Sequence, residues 1–192
     1  MRLAFVLVAG LALTACGGTR QDADEPSGTF KVQVVSAYFP RVQHIAQSVV
    51  MRVRVRNADT RSLPVAVTVQ TAPSGSGLAA VGFGQTSDNT QESDTARPVW
   101  VLDKGPLGAG TADTNVWSAG TLAPGATKEL TWRLVAAKAG SYTIDYRVFP
   151  GLTGKARAAA GRTAGRFRVT ISDKPVPATV DGNGEVVRGD GD

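Results

Sequence analysis

The chain has 192 residues, of which 42% are hydrophobic and 19% charged, and it carries a formal net charge of +5. This length suits one domain with extensions at its ends, and the hydrophobic fraction is sufficient for a packed core. The single cysteine excludes an intramolecular disulfide, and together with the single histidine it excludes metal sites built from His and Cys. Abundant valine, 22 glycines and 10 prolines, without a long stretch of helical periodicity, indicate an all-β protein.

The N-terminal region contains a short apolar segment, residues 3–13, behind a basic residue. This segment is too short to span a bilayer and is typical of the core of a signal peptide. It ends in Leu13, Thr14, Ala15 and Cys16, which resembles the lipobox of bacterial lipoprotein signal peptides. The resemblance implies cleavage before Cys16 and a diacylglyceryl group on its sulfur, with acyl chains such as palmitate. An ordinary secretory signal that contains a chance cysteine is the alternative interpretation.

This interpretation divides the chain into four parts. Residues 1–15 are the signal peptide, and residues 16–28 are the lipidated cysteine followed by a polar tether that contains Gly and Pro and is expected to be flexible. Residues 29–172 are the folded domain, and residues 173–192, rich in Pro, Gly and Asp, are predicted to be a disordered tail. The protein is therefore expected to be exported and lipid-anchored to the bacterial cell membrane, on its outward face.

The folded domain contains short segments in which apolar and polar residues alternate, the pattern of strands with one buried face. We predict strands at residues 29–36, 48–56, 63–71, 98–102, 128–136, 141–149 and 165–172, with another near residues 78–83. The segments 48–56 and 63–71, joined by the polar turn 57–60, are predicted to form an antiparallel pair. Residues 37–47 are predicted to be a loop or a crossing segment, and residues 72–97 are predicted to be mainly a long loop. Seven or eight short strands at even spacing favour an antiparallel β-sandwich.

The alternation also predicts which side chains fill the core. In the segment 128–136 the residues Leu130, Trp132 and Leu134 share one face. In the segment 141–149 every second residue is again apolar, and Tyr146 is one of them. We therefore expect these faces to be buried and the intervening polar residues to be exposed.

Three motifs resemble those of bacterial immunoglobulin-like domains. They are VRVRNADT at residues 53–60 with the strand that follows, WSAGTLAPG at residues 117–125, and GSYTI at residues 140–144. Their order is similar to that in CARDB-like, cell-adhesion-related domains and conserved-repeat domains of bacterial surface proteins. The resemblance implies an immunoglobulin-like sandwich of seven or eight strands that lacks the usual inter-sheet disulfide. It also implies that Tyr142 forms a tyrosine corner, in which the hydroxyl bonds to backbone upstream.

Basic residues are concentrated in the folded domain. Residues 29–172 contain 17 Lys and Arg against 8 Asp and Glu, a net charge of +9. Three arginines are predicted on the outer face of one strand: Arg52, Arg54 and Arg56. Others are predicted to point outward from the last two strands: Arg147, Arg166 and Arg168. Either these cations are solvated charges that protect a sheet face, or they attract an anionic partner, namely lipid headgroups, a wall polymer or an envelope protein. Export argues against nucleic acid as the partner.

Catalytic groups are few. The only histidine, His44, lies in a predicted loop where nothing orients it as a general base. Four polar residues of the 72–97 loop are interpreted as solvated groups rather than as a calcium site: Asp88, Asn89, Glu92 and Asp94. We therefore predict a non-catalytic binding or structural module of the cell envelope, without cofactor or metal. The alternatives are an envelope enzyme or enzyme accessory with a carboxylate site within residues 72–113 that involves Asp88, Asp94 or Asp103, and a subunit of a larger envelope complex that docks through residues 72–97.

Overall fold

The computed structural model describes residues 25–73, 83–85, 98–111 and 115–188. Within these ranges the protein consists of strands, turns and irregular connections, and no helix of the described part could cross a membrane. The strands are β1 Gly28–Phe30, β2 Val32–Tyr38, β3 Val42–Ile45, β4 Ser48–Asn57, β5 Leu63–Pro73, β6 Gly84–Gln85, β7 Trp100–Lys104, β8 Val116–Leu122, β9 Thr127–Ala136, β10 Gly140–Phe149, β11 Ala156–Ala158, β12 Ala164–Pro175, β13 Ala178–Val180 and β14 Val186–Arg188.

Two five-stranded sheets make up the body of the domain. The first has the order β2-β4-β9-β7-β6 and the second the order β3-β12-β10-β5-β8. Strands β2, β4, β9 and β7 thus occupy the positions of strands A, B, E and D of an immunoglobulin domain, while β5, β10 and β12 occupy those of C, F and G. The predicted immunoglobulin-like antiparallel sandwich is confirmed. Parallel pairing occurs at the sheet margins, between β3 and β12 and between β6 and β7.

The core lies between the sheets and follows the predicted alternation. In β4 the inward residues Val49, Met51, Val53 and Val55 are buried, and Leu130, Trp132 and Leu134 lie opposite them on β9. The second sheet contributes apolar side chains from β5 and β10. Trp100 is also buried and makes a T-shaped contact with Tyr142, with ring centroids 5.6 Å apart. Aromatic packing therefore fills the core of this sandwich, which has no disulfide.

The tyrosine corner is present. The hydroxyl of Tyr142 donates a hydrogen bond of 2.8 Å to the carbonyl of Ala139, three residues upstream. Burial raises the pKa of this hydroxyl. The bond fixes the turn that leads from β9 in the first sheet to β10 in the second, which is the role such a corner has at the start of strand F.

The predicted pairing of the segments 48–56 and 63–71 is wrong. Strand β4 pairs with β2 and β9, whereas β5 pairs with β10 and β8 in the opposite sheet. The polar link after β4 carries the chain across the sandwich, and the last residue of β4, Asn57, is fully buried where the link begins. Its Nδ2 donates to the carbonyls of Arg61 and Leu122, both at 2.7 Å, and its Oδ1 accepts the N–H of Asp59 at 2.9 Å. The side chain thus satisfies backbone groups that a hairpin ladder would otherwise pair.

Two predicted boundaries also change. Residues 37–47 are not simply a loop, because β2 extends to Tyr38 and β3 occupies Val42–Ile45. At the other end β12 continues to Pro175, and β13 and β14 form a short hairpin within the segment predicted to be a disordered tail. The turn of this hairpin is built on Asp181, whose Oδ1 accepts the N–H groups of Asn183 and Glu185 at 2.9 Å. That carboxylate group organises a local turn.

The chain joins the domain at Glu25, before the predicted boundary at residue 29. The Glu25 carboxylate accepts the N–H of Leu152 at 3.1 Å and that of Thr153 at 2.7 Å. A side chain at Gly151 would overlap this carboxylate, so the close approach requires glycine. Strand β1 then pairs with β11. The chain from the N-terminus therefore enters at the end of the sandwich where β10 finishes.

Candidate functional site: a basic face on the first sheet

The outer face of the first sheet carries a cluster of cations, which we call the basic face. It consists of the three predicted arginines on β4, of Lys104 and Arg133 on β7 and β9, and of Lys128 near the start of β9, which pairs with the inward-facing Val55 but lines the same groove: Arg52, Arg54, Arg56, Lys104, Lys128 and Arg133. All six are exposed. The arginines face outward because the valines and the methionine that alternate with them are drawn into the core. Alternate residues on a strand are two rises apart, so successive arginines lie about 6.5–7 Å from each other.

Ion pairs on this face are loose. Arg52 Nε lies 4.0 Å from Glu129 Oε1, and Arg133 Nε lies 3.9 Å from Asp103 Oδ2, with about half of each side chain exposed. Arg54 donates to Thr127 Oγ1 at 3.4 Å. Exposed pairs of this kind contribute about 0–1 kcal/mol and are screened by salt. The six cations face two carboxylates, so the basic face keeps a net positive charge with side chains free to reorient.

A groove of about 420 Å³ crosses the basic face. Its floor is formed by β4 and β9, including Val50 and Thr131, and one wall is the turn after β7. Four of the six cations line this groove: Arg52, Lys104, Lys128 and Arg133. The groove therefore exposes a small apolar strip between charged side chains.

The turn after β7 is held rigidly. Gly105 packs against the ring of Trp117, where a Cβ would lie 2.7 Å from Cζ3. The N–H of Ala109 donates to the carbonyl of Pro106 at 3.2 Å, and Ala109 itself is buried. Gly108 has a φ of +66°, a value that glycine adopts at no steric cost. Between these fixed points the side chain of Leu107 projects into solvent and is 82% exposed.

Tyr38 lies on the other margin of the basic face. Its Cα is paired with that of Arg52 across β2 and β4, and its side chain is 56% exposed. Neighbouring strands lie about 4.8 Å apart. The width of β4 and β9 thus separates Tyr38 from the turn that carries Leu107, and the arginine row lies between the two.

The second sheet offers a weaker cluster of cations. Arg147, Arg166 and Arg168 are exposed, as predicted. Arg166, however, makes a two-pronged bond to Asp145, at 2.6 Å from Nε and 2.9 Å from Nη2. This hydrogen bond raises the pKa of the Arg166 guanidinium. The Asp145 carboxylate therefore neutralises the positive charge of Arg166 locally. The first sheet is therefore the more strongly cationic of the two outer faces.

The remaining predicted residues fall in different places. Cys16 and the residues before it, Leu13, Thr14 and Ala15, lie outside the described residues, as do four polar positions of the segment predicted to be a loop, Asp88, Asn89, Glu92 and Asp94. Asp103 is described and faces Arg133. His44 lies on β3, where its Nδ1 donates to the Lys174 carbonyl at 2.9 Å. Within the described residues, no three His, Cys, Asp or Glu side chains come close enough to share a metal ion. The role assigned to Cys16 stays a prediction.

Sequence reasoning missed Lys104, Lys128, Arg133, Leu107 and Tyr38 as members of one surface. The outward direction of Arg133 was available from the alternation of β9. Its position beside Arg52 was not, because it depends on β4 pairing with β9 and on β9 pairing with β7. These pairings connect segments that are far apart in the chain.

No protein-family model matches this chain, and no curated protein sequence matches it significantly. Solved structures with a similar fold include the CARDB domain of a Pyrococcus furiosus protein, crystallised with two metal ions; it is 15% identical over 76% of this chain and 96% of that one, with a TM-score of 0.47. Another is Escherichia coli alpha-2-macroglobulin from domain MG7 to its C-terminus (13% identity, 78% of this chain, 18% of that one, TM-score 0.45). A third is a PapD-like domain of a human protein, CEP192 (10% identity, 92% of this chain, 100% of that one, TM-score 0.40).

Proposed function

We propose that this protein is a lipoprotein of the bacterial cell envelope, exported and held at the outward side of the cell membrane by lipid on Cys16. Its immunoglobulin-like domain would act there as a non-catalytic binding or structural module. The observation that carries the proposal is the order Leu13, Thr14, Ala15, Cys16 directly behind a short apolar segment. The thiol is the nucleophile in this motif that can accept a lipid, and the small residues before it suit a peptidase site.

The basic face supports a binding role for the domain. Its groups are guanidinium and ammonium ions with two carboxylates in loose pairs. Such a surface attracts anions by charge and needs no reacting group. Lipid headgroups, an anionic wall polymer and an acidic envelope protein share this chemistry. Nucleic acid does not meet an exported domain, which makes it a poor candidate.

Metabolic labelling with a fatty-acid probe tests lipidation. Wild-type protein is expected to take up label and to fractionate with membranes, whereas Cys16→Ser is expected to do neither after processing fails. The matched control is the double variant Cys16→Ser with Ser27→Cys, which keeps one thiol near the domain but outside the motif. Label on this control would show that any cysteine is acylated. Unlabelled wild-type protein would exclude the proposal.

A further inference from the structure

An exposed leucine stands beside the basic face. Leu107 is 82% exposed, although the residues around it are fixed by the Trp117 ring and by the bond that closes the turn. Exposing one large apolar side chain to water from a rigid turn does not stabilise the folded protein. Burial of the same side chain in an apolar medium would be favourable, because its apolar surface would leave water.

Charge and apolar surface are arranged together. The groove next to Leu107 is lined by Arg52, Lys104 and Lys128. On the opposite margin Tyr38 is 56% exposed, and tyrosine is a residue that suits the boundary between water and hydrocarbon. Leu107 and Tyr38 thus flank the row of cations on one sheet face. This arrangement matches a surface that has negative charge outside and hydrocarbon a few ångströms below.

We infer that the basic face docks on an anionic lipid bilayer, with the arginine row against the headgroups and Leu107 inserted between them. The inference rests on the proposed function, since it assumes that the chain is at a membrane. A soluble polyanion would satisfy the arginines but would leave Leu107 in water. The exposed leucine therefore favours a bilayer over a polymer as the occupant.

The entry point of the chain is compatible with this docking. Arg56 pairs with Gln33 on β2, eight residues after Glu25, so the arginine row begins at the end of the sandwich where the chain enters. Cys16 precedes Glu25 by nine residues, which can span at most about 30 Å. A lipid on Cys16 thus keeps the basic face within reach of the same bilayer.

A thiol probe at position 107 tests the inference. Cys16 is the only cysteine, so in the lipidated full chain Leu107→Cys provides the only free thiol for an environment-sensitive fluorophore. The labelled protein is reconstituted in neutral phosphatidylcholine vesicles and in vesicles that also contain phosphatidylglycerol. The control probe is at Thr170→Cys, which is exposed on the outer face of β12 in the other sheet. Intact mass of the same sample reports acylation, and therefore tests the proposed function separately; an unacylated chain is tested on the same vesicles with Cys16→Ser.

The probe at position 107 is expected to shift to the blue and to be quenched by brominated lipid in anionic vesicles, while the probe at position 170 stays in water. Changing three arginines to glutamine (Arg52, Arg54 and Arg56) should lower the ratio of docked to undocked protein about fivefold per residue, or about hundredfold together. The matched control removes the same charge from the second sheet (Arg147, Arg166 and Arg168 to glutamine) and should leave the ratio within about twofold. Raising salt to about 0.5 M should also release the domain.

Three outcomes would overturn the inference. In the first, the probe at position 107 remains in water on anionic vesicles. In the second, that probe responds to a soluble polyanion such as dextran sulfate but not to vesicles, which would assign the basic face to a polymer. In the third, both triple variants lose docking equally, which would show that only total charge matters. Because intact mass establishes acylation in the same sample, each of these outcomes is distinguished from a failure of the proposed function.

Discussion

Replacing Asn57 by alanine removes the side chain whose hydrogen bonds hold the link between β4 in the first sheet and β5 in the second. Three hydrogen bonds are lost, two donated to the carbonyls of Leu122 and Arg61 and one accepted from Asp59. Each is worth about 1 kcal/mol net, and the carbonyl of Leu122 is left buried without its donor, at a cost of about 1–3 kcal/mol. Because the Asp59 end of the link is more exposed, its bond is left out of the sum, and we expect a total destabilisation of about 3–5 kcal/mol.

Urea denaturation of the purified chain measures this loss as a lower midpoint with an unchanged slope. Asn57→Asp is the more informative partner, since it keeps the acceptor but replaces both donated bonds with a charge that faces two carbonyl oxygens. It should be at least as unstable as Asn57→Ala. Asn183→Ala, in the exposed turn of the last hairpin, should change stability by less than about 0.5 kcal/mol. Midpoints for both Asn57 variants within that range would refute the role assigned to the buried amide.

Three further changes test the core and the entry of the chain. Trp132→Ala should cost about 3–5 kcal/mol in chemical denaturation, because the ring is fully buried; a midpoint near that of wild type would contradict the packing. Gly165→Ala should lower the thermal midpoint because a Cβ there would overlap the hydroxyl and the ring carbon Cζ of Tyr146, and Tyr146→Phe, which keeps that carbon, should not restore the loss. Partial burial raises the pKa of the Glu25 carboxyl, but hydrogen bonds from Thr153 and its neighbours outweigh burial and hold this pKa below the ordinary value of 4.5. The stability that this group contributes is therefore present above pH 4.5 and is lost as pH falls through the lowered pKa, so Glu25→Gln should flatten the pH dependence of the unfolding midpoint in that window.

The sequence was sufficient to predict which side chains of a strand point inward and which point outward, because this depends on local alternation. Each residue of β4 points opposite to its neighbours, so the outward direction of Arg52 follows from the burial of Met51 and Val53. The same reasoning placed Trp132 in the core correctly. The tyrosine corner at Tyr142 was also predictable, since its partner is only three residues away.

Which strands pair with each other was not predictable in the same way. Asn57 begins a polar run that resembles an ordinary turn, and only its contact with Leu122, 65 residues later, shows that the link crosses the sandwich. The basic face has the same difficulty. Leu107 follows a short strand and sits in a Gly-rich turn, and its place beside Arg52 depends on the order of three strands in one sheet. Long-range register is a property of the assembled sheets.

Attachment and docking would reinforce each other in the proposed arrangement. A link as short as the nine residues from Cys16 to Glu25 would give an effective concentration of the order of mM at the surface. A face whose free affinity has a Kd of about 1 mM, or about −4 kcal/mol, would then be docked for roughly half of the time. Three arginines at about 1 kcal/mol each and a partly inserted leucine are sufficient for such an affinity.

The carboxylate of Glu25 is expected to have little influence on the ratio of docked to undocked protein. Releasing Glu25 would lengthen the free chain from nine residues to about twelve, up to the start of β1 at Gly28. Effective concentration falls roughly as the −3/2 power of length, so the change is only about 1.5-fold. The contacts of Glu25 with Leu152 and Thr153 should therefore matter for the stability of the domain end, whereas docking should depend on the arginines and on Leu107. A Glu25→Gln protein that remains docked while its low-pH unfolding changes would separate the two roles.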